Sequence, residues 1–507
     1  MNTPFNPIPR TATSKEFGAF YPTNINSYVT SALRKAHDDN TRLYYDTSIG
    51  HMAVDSLTDY VIGSGLVPTA SPERMLIGWT DEQRRTFCSQ AEAYWRLVTG
   101  SDDFDFYGKN NFKSLQKIAF KNILIKGDVL LHLYYRDRKS DYKPAVQILS
   151  GQWVRNPSSQ LTDTQKLAGG VAFDSSSREI GYYIAKVDEN LNDTRESHYV
   201  SKYNRAGMKE FDLIKLAVSE ANQVRGIPLL TPCKDDILNL EVTKTNFITK
   251  FLVESLLTVF IKTAEDSVAS NETLETIKSL GSQFSDAYEE DREITLFPGN
   301  VIQLQPGEST ETVQPTQSSH TYTELEKTIL SSIGGAIGVP YEMLLKQYNS
   351  SYSASRATIM SASKHFAEIR EEFAGKFCQE VYEMVIDYGI RRGIIEAPGY
   401  LDGSDDYKSA ILACTWIGPT PVIMDPVKEA NSQKLMIEAN LTTMERAVRD
   451  LSGMDFEEVI ERRAYEIEYI NELLAPLIPV PQEEETSAPS DSNQDSKEED
   501  KEEKDSE

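Results

Sequence analysis

Cysteine is scarce in this chain. The four residues, at 88, 233, 378 and 414, stand far apart, with no CxxC pair and no histidine at ligand spacing beside any of them. That pattern excludes a zinc ribbon, a redox dithiol and a disulfide framework. Histidine is scarce too: six residues, at 37, 51, 132, 198, 320 and 365, lie scattered. His132 alternates within a strand-like run, where a satisfied sheet residue is expected rather than a base or a ligand. No window approaches the roughly 18 uninterrupted apolar residues that a membrane span needs. The N-terminal stretch has no basic segment followed by an apolar one, so a soluble cytosolic protein with no membrane partner is expected. Positive charge is also short, with 52 Lys and Arg against 78 Asp and Glu and a net charge of −26. A tight grip on many phosphates requires the opposite balance.

Sequence signatures of catalysis are missing as well. There is no GxxxxGK[ST] loop, no GxGxxG after a strand, no HExxH and no GxSxG. Ser361-Ala362-Ser363-Lys364 matches SxxK, but it lies inside a helical pattern and lacks the SDN and KTG companions, so it reads as a solvated helix face. The many carboxylates offer no pair that stands out. No catalytic residue, cofactor or metal is therefore assigned, and an acidic hydrolase is the weakest of the functional classes considered.

What the chain does have is length. Its 507 residues correspond to about three domains and can bury a core without staples. Residues 483–507 carry twelve acids against Lys497, Lys501 and Lys504, with nothing apolar larger than alanine. That composition predicts disorder, because no burial offsets the ordering entropy.

Residues 3–30, rich in Pro, Asn, Thr and aromatics, read as an extended arm. Met52, Leu57 and Val61 share a helical face that ends at Gly63, Gly65 and Pro68. Thr80-Asp81-Glu82-Gln83 fits a capping box for a helix through Val98. A further helix is expected from Phe112 to Ile125, stopping at Gly127. Short runs at 128–135, 145–149, 170–173 and 181–185 predict one small, mostly antiparallel sheet, making residues 1 to about 230 an α+β unit. From Pro232 a helix is expected to about Lys262, long for a single globular helix. An insert follows, with a helix at 272–288 and a hairpin of 294–297 and 301–305 around Pro298-Gly299-Asn300. A returning helix from Thr321 is expected to end near Val339-Pro340. After the polar stretch Lys346–Ser353 a long helix starts near Ala354. Its stripe of Ile359, Ala362, Phe366, Ile369, Phe373, Phe377, Val381 and Met384 holds a near-helical period over some seven turns. A last helical region runs from Asp425 to Leu474.

The order of these pieces is more specific than any one of them. Arg225-Gly226-Ile227-Pro228-Leu229-Leu230-Thr231-Pro232 comes first. It precedes helix, insert and returning helix to Gly338-Val339-Pro340, then Tyr348-Asn349-Ser350-Ser351-Tyr352-Ser353 and the long helix from Arg356. In that order it resembles the lambda-type portal proteins of tailed phages. So do Trp416-Ile417-Gly418-Pro419, Asp425-Pro426-Val427-Lys428-Glu429-Ala430, the upstream Val61-Ile62-Gly63-Ser64-Gly65-Leu66, and 147–157. The resemblance implies a ring of about twelve copies at one capsid vertex. It also implies an α+β fold of wing, helical stem, clip and helical crown. Under it, 1–50 is an arm, 51–231 the wing, 232–262 the first stem helix, 263–318 the clip and 319–345 the second stem helix. Residues 346–353 become the tunnel loop, 354–390 the tunnel helix, 391–424 a return to the wing, 425–475 the crown and 476–507 the acidic tail.

The implied partners are other copies of the chain, double-stranded DNA without sequence specificity, the terminase large subunit, a head–tail adaptor, and the major capsid and scaffold proteins. The implied location is the virion, with the host cytoplasm during assembly. The implied DNA-facing residues are Lys346, Gln347, Tyr348, Asn349, Ser350, Ser351, Tyr352 and Ser353, able to touch a phosphate backbone with small polar groups and one cation. Gly334 and Gly335 are read as a bend or a close-packing point of the second stem helix. Ile294, Leu296, Val301 and Leu304 of the clip hairpin could pair with neighbouring copies by strand addition. An acidic wall suits DNA that must slide. The alternative reading is another ring-forming head or tail component, which would have no need of a stem.

Overall fold

The computed structural model describes residues 25–138, 141–157, 166–187, 193–255, 259–262, 301–304, 319–348, 351–419, 426–452 and 456–474. Two units make up the chain, Met1–Gly453 and Met454–Glu507. In the second, the described element is the helix Phe456–Leu474, which exposes Ile460, Tyr465, Ile467, Tyr469 and Ile470.

In the first unit, helices α1 (Ile25–Asp46) and α2 (Ser48–Val61) meet at Thr47, whose hydroxyl accepts the Gly50 amide as an N-cap. Strand β1 (Val67–Ala70) and helix α3 (Asp81–Thr99) follow. The capping box expected at Thr80 is present: the Gln83 amide donates to the Thr80 hydroxyl and the Thr80 amide to the Gln83 side chain. Helix α4 (Phe112–Lys126) ends at Gly127, where φ is 87°.

Seven strands come next: β2 (Asp128–Arg138), β3 (Asp141–Ser150), β4 (Lys166–Ala168), β5 (Val171–Phe173), β6 (Glu179–Val187), β7 (Asp193–Ser201) and β8 (Phe211–Lys215). They form two antiparallel sheets instead of the single one expected, ordered β3-β2-β8 and β4-β5-β6-β7. The alternation of side chains along β2 explains why two are needed. Val129, Leu131 and Leu133 enter the main core, while Leu130 points the other way, into a second core with Val171, Tyr182, Phe211 and Leu213. A sheet apolar on both faces must be covered twice.

Helix α5 (Lys234–Ser255) is followed by β9 (Val259–Lys262), and β9 pairs in parallel with β10 (Val301–Leu304). The helix expected to reach Lys262 therefore stops seven residues earlier. The run Val259-Phe260-Ile261 is β-branched and aromatic, and pairing with the equally β-prone Val301-Ile302 outweighs helix continuation. The expected antiparallel partner of Val301–Leu304, residues 294–297 with Ile294 and Leu296, lies outside the described residues, as does the helix placed at 272–288.

Helix α6 (Ser319–Ile337) ends close to the expected Val339-Pro340, and a separate short helix α7 (Tyr341–Leu345) follows it within the span 319–345. The break falls at Gly338, with φ 75°, and Pro340. Helix α8 (Tyr352–Phe373), a π-helical turn (Ala374–Cys378) and helix α9 (Gln379–Arg391) then run on as one rod. The spacing of the apolar stripe accounts for the π turn. From Ile369 through Phe373 and Phe377 to Val381 the spacing is four, four and four, which drifts off an α-helical face by about one residue in three turns. One wider turn absorbs that drift and keeps all of them inward. Helix α10 (Asp405–Ile411), strand β11 (Cys414–Ile417), α11 (Pro426–Glu438) and α12 (Met444–Ser452) complete the unit. β11 pairs antiparallel with β1, Val67 opposite Ile417. One core runs from Leu43 to Leu412 and draws on both sides of the boundary expected near residue 231.

Candidate functional site

Helices α5 and α6 lie antiparallel. Phe247 stacks on Tyr322 with ring centroids 4.3 Å apart, and Ser332 donates to Asp236 at the other end. Their outer faces leave Val242, Ile248, Phe251, Leu252 and Leu325 exposed.

Gly334 lies within α6, with the Val339 amide donating to its carbonyl at 3.0 Å. A Cβ on Gly334 would sit 2.5 Å from the Val339 carbonyl oxygen, whereas one on Gly335 would meet nothing within 4 Å. The first glycine thus permits a close backbone approach where the chain turns back. The second faces an open groove of about 620 Å³ between α6, α7 and α8, which Gly338, Ser361 and His365 also line.

The predicted loop begins where α7 ends. Lys346 adopts a left-handed conformation, φ 54° and ψ 34°. Its amide donates to Met343 O and that of Gln347 to Glu342 O. This is the double-bonded C-terminal cap that glycine usually supplies, here built on a lysine at a cost of about 1 kcal/mol. Lys346, Gln347 and Tyr348 are exposed. Tyr348 is hydrogen-bonded to Tyr60 of α2, and burial first, then Tyr348, push the Tyr60 hydroxyl up to about 12. Tyr60 in turn stacks on Phe366 of α8 at 5.2 Å. Asn349 and Ser350 lie outside the described residues. Ser351 is the N-cap of α8, accepting from the Ala354 amide, and Tyr352 and Ser353 already belong to that helix. The loop is therefore shorter at its C-terminal end than the polar composition of 346–353 suggests, because the Ser351 hydroxyl satisfies an amide of the first helical turn and so starts the helix there. One turn later Arg356 donates to Glu429 of α11 at 2.6 Å.

Two arginines, Arg225 wholly buried and Arg370 half-buried, whose roles the sequence did not disclose, hold this scaffold. Arg370 of α8 donates to the carbonyls of Val61 and Tyr60, satisfying the C-terminal end of α2. Burial lowers its pKa. A Cβ on Gly418 would strike its side chain, and one on Gly63 would strike Pro419. The motifs at 61–66 and 416–419 are thereby brought together on the long helix. Arg225 and Asp128 are both wholly buried and paired through two bonds of 2.6 and 2.8 Å. Arg225 also donates to the carbonyls of Val154, Gly169 and Gly151. Beside it, Gly226 and Gly127 touch backbone to backbone, so close that a Cβ on Gly226 would lie 1.9 Å from Gly127 O. The signal was Arg225 within an otherwise apolar, turn-forming motif; its partner 97 residues earlier could not be read from it.

The first unit thus brings together two antiparallel helices, α5 and α6, a capped cationic turn at Lys346 and a long helical rod behind that turn. A family model described as phage portal protein, lambda family, matches residues 20–370. That is well over half of the chain, and the chain belongs to this family. It is similar to portal protein B of Escherichia phage lambda, 21% identical over 430 residues that cover 82% of this chain and 80% of that protein. The portal protein of Escherichia phage N15 is 22% identical over 428 residues, with the same coverage. Among solved structures, a chain in the virion of a native gene transfer agent particle aligns with a TM-score of 0.45 and 11% identity, covering 82% of this chain and 93% of that one. A chain from the neck of the native particle, computed with C12 symmetry, aligns with a TM-score of 0.40 and 11% identity over 81% and 91%.

Proposed function

We propose that this portal-family chain assembles head to tail into a closed ring of about twelve copies at one capsid vertex. Double-stranded DNA enters through the ring during packaging and leaves through it later. The observation that carries the reading is the exposed turn Lys346-Gln347-Tyr348, set between the α5–α6 pair and the long helix capped by Ser351 in a chain of the portal family. Its single cation and small polar groups touch phosphate without sequence preference. The chain's net charge of −26 keeps the counterion-release term small, so DNA slides instead of being held.

Ring closure is supported by the apolar faces that α5 and α6 leave uncovered within one copy, at Val242, Ile248, Phe251, Leu252 and Leu325. Strand β10 with Val301 and Leu304 offers a further pairing edge between copies. The ring works as a conduit without chemistry of its own. ATP hydrolysis belongs to a separate terminase, which we assign to the clip at 263–318, while the adaptor, capsid and scaffold proteins meet other surfaces in the virion.

The test is a variant in which Gln347–Ser351 is shortened by three residues. Rings are expected to form, seen by electron microscopy, while packaged DNA per particle falls at least about tenfold. Normal packaged DNA would remove the loop from the mechanism.

A further inference from the structure

A second concavity lies far along the chain from the loop. A cleft of about 430 Å³ opens between α3, the turn that follows it, the β2–β3 hairpin and the end of α9. Its rim is apolar: Leu97 is 75% and Ile394 49% exposed. Three cations line it, Arg136, Lys143 and Arg392, against one carboxylate, Asp103. In a chain that carries −26 overall, this is a local inversion of sign.

Among the described residues, the hydrogen bonds of Arg136 go to neutral groups. Its guanidinium donates to the carbonyls of Asp105 and Phe106 and to the Tyr134 hydroxyl, all neutral oxygens. These bonds hold it rigidly at the cleft wall. Arg392 lies over the ring of Tyr388, 5.7 Å from its centroid, so aromatic packing positions that cation too. Lys143 is exposed.

We propose that this cleft docks a peptide segment of another protein, one that carries an aliphatic or aromatic anchor flanked by aspartate or glutamate. An apolar anchor buries the Leu97 and Ile394 rim, and the flanking carboxylates meet cations that are already oriented. Buried anchors surrounded by charged rim contacts are the usual economy of such interfaces. Nucleic acid fits less well, because a duplex binds along extended basic surface and would leave the exposed leucine and isoleucine against phosphate. The inference is independent of the DNA channel.

Fluorescence anisotropy with the full chain tests it, using three labelled probes. The first is a peptide of about ten residues with a central Leu-Phe pair between Glu and Asp. The second is the same peptide with Gln and Asn replacing the acids, and the third is a short DNA duplex. The acidic peptide is expected to bind at least about tenfold tighter than the neutral one, equivalent to about 1.4 kcal/mol, and more weakly as salt rises. Lys143→Glu and Leu97→Asp, both at exposed positions and checked by circular dichroism for an intact fold, should each weaken it severalfold. No binding of the acidic peptide, equal binding of the acidic and neutral peptides, or indifference to both substitutions would overturn the proposal. Binding of the duplex alone would give the cleft to nucleic acid instead.

Discussion

Replacing Arg225 by methionine is the most incisive perturbation of this fold. The guanidinium and the Asp128 carboxylate are wholly buried and joined by two bonds. Three further bonds run from Arg225 to the carbonyls of Gly151, Val154 and Gly169. Removing one partner of a buried pair costs about 3 to 5 kcal/mol, because the other charge is left in low dielectric. The carbonyls that lose their donor add about 1 kcal/mol each. Asp128 keeps one donor, the Gly226 amide at 3.0 Å, which returns part of the loss. A net destabilisation of about 5 kcal/mol is expected, a large fraction of the roughly 5 to 15 kcal/mol that holds a domain together. Urea unfolding followed by tryptophan fluorescence should show it as a lowered midpoint, or as protein recovered only in inclusion bodies. The double variant Asp128→Leu with Arg225→Met removes both charges and should regain much of the loss. An Arg225→Met midpoint within about 1 kcal/mol of the parent, or a double variant worse than the single, would refute the reasoning.

Two other outcomes follow from the same region. Burial first, then the nearby Arg225, lower the pKa of His37 to about 4. The unfolded chain takes up this proton near pH 6.5 and the folded one only near 4, so stability is lost as pH falls through that window, by about 3 kcal/mol. His37→Leu should flatten that limb of a stability-against-pH curve measured by thermal melting; an unchanged limb would place the acid sensitivity elsewhere. Gly226→Ala puts a methyl group 1.9 Å from the Gly127 carbonyl oxygen and must separate the two strands of backbone. Loss of several kcal/mol is expected, and hydrogen exchange should rise at the Leu229 amide, which donates to Leu124 O in the next contact. Parent-like exchange there would show that the approach is not needed.

Elements that rest on neighbouring residues were legible in the sequence. The Thr80 capping box, the stop of α4 at Gly127 and the inward stripe of the long helix each depend on groups within a few residues of one another, and hydrogen-bond geometry or helical period determines them there. The α+β class followed from the same local patterns. The candidate loop was legible as a polar interval between two helices, but its end was not, since Ser351 could be read equally as loop or cap.

Other features were decided by residues far apart. Strand β9 became a strand because β10 pairs with it, overriding a helical pattern that would have carried α5 onward. β1 and β11, four residues each, pair across the length of the unit with no turn to announce them. The Arg225–Asp128 clamp and the hold of Arg370 on the end of α2 carry no periodicity at all. The sequence by itself determined helices α3, α4 and the long rod, the cap at Thr80, and that the chain is acidic with a composition built for a large core, but it read as an extended arm a stretch in which helix α1 begins. Only the tertiary structure decided how strands pair and which charges are buried. Those choices depend on the free energy of contacts between groups tens to hundreds of residues apart, which no local pattern encodes.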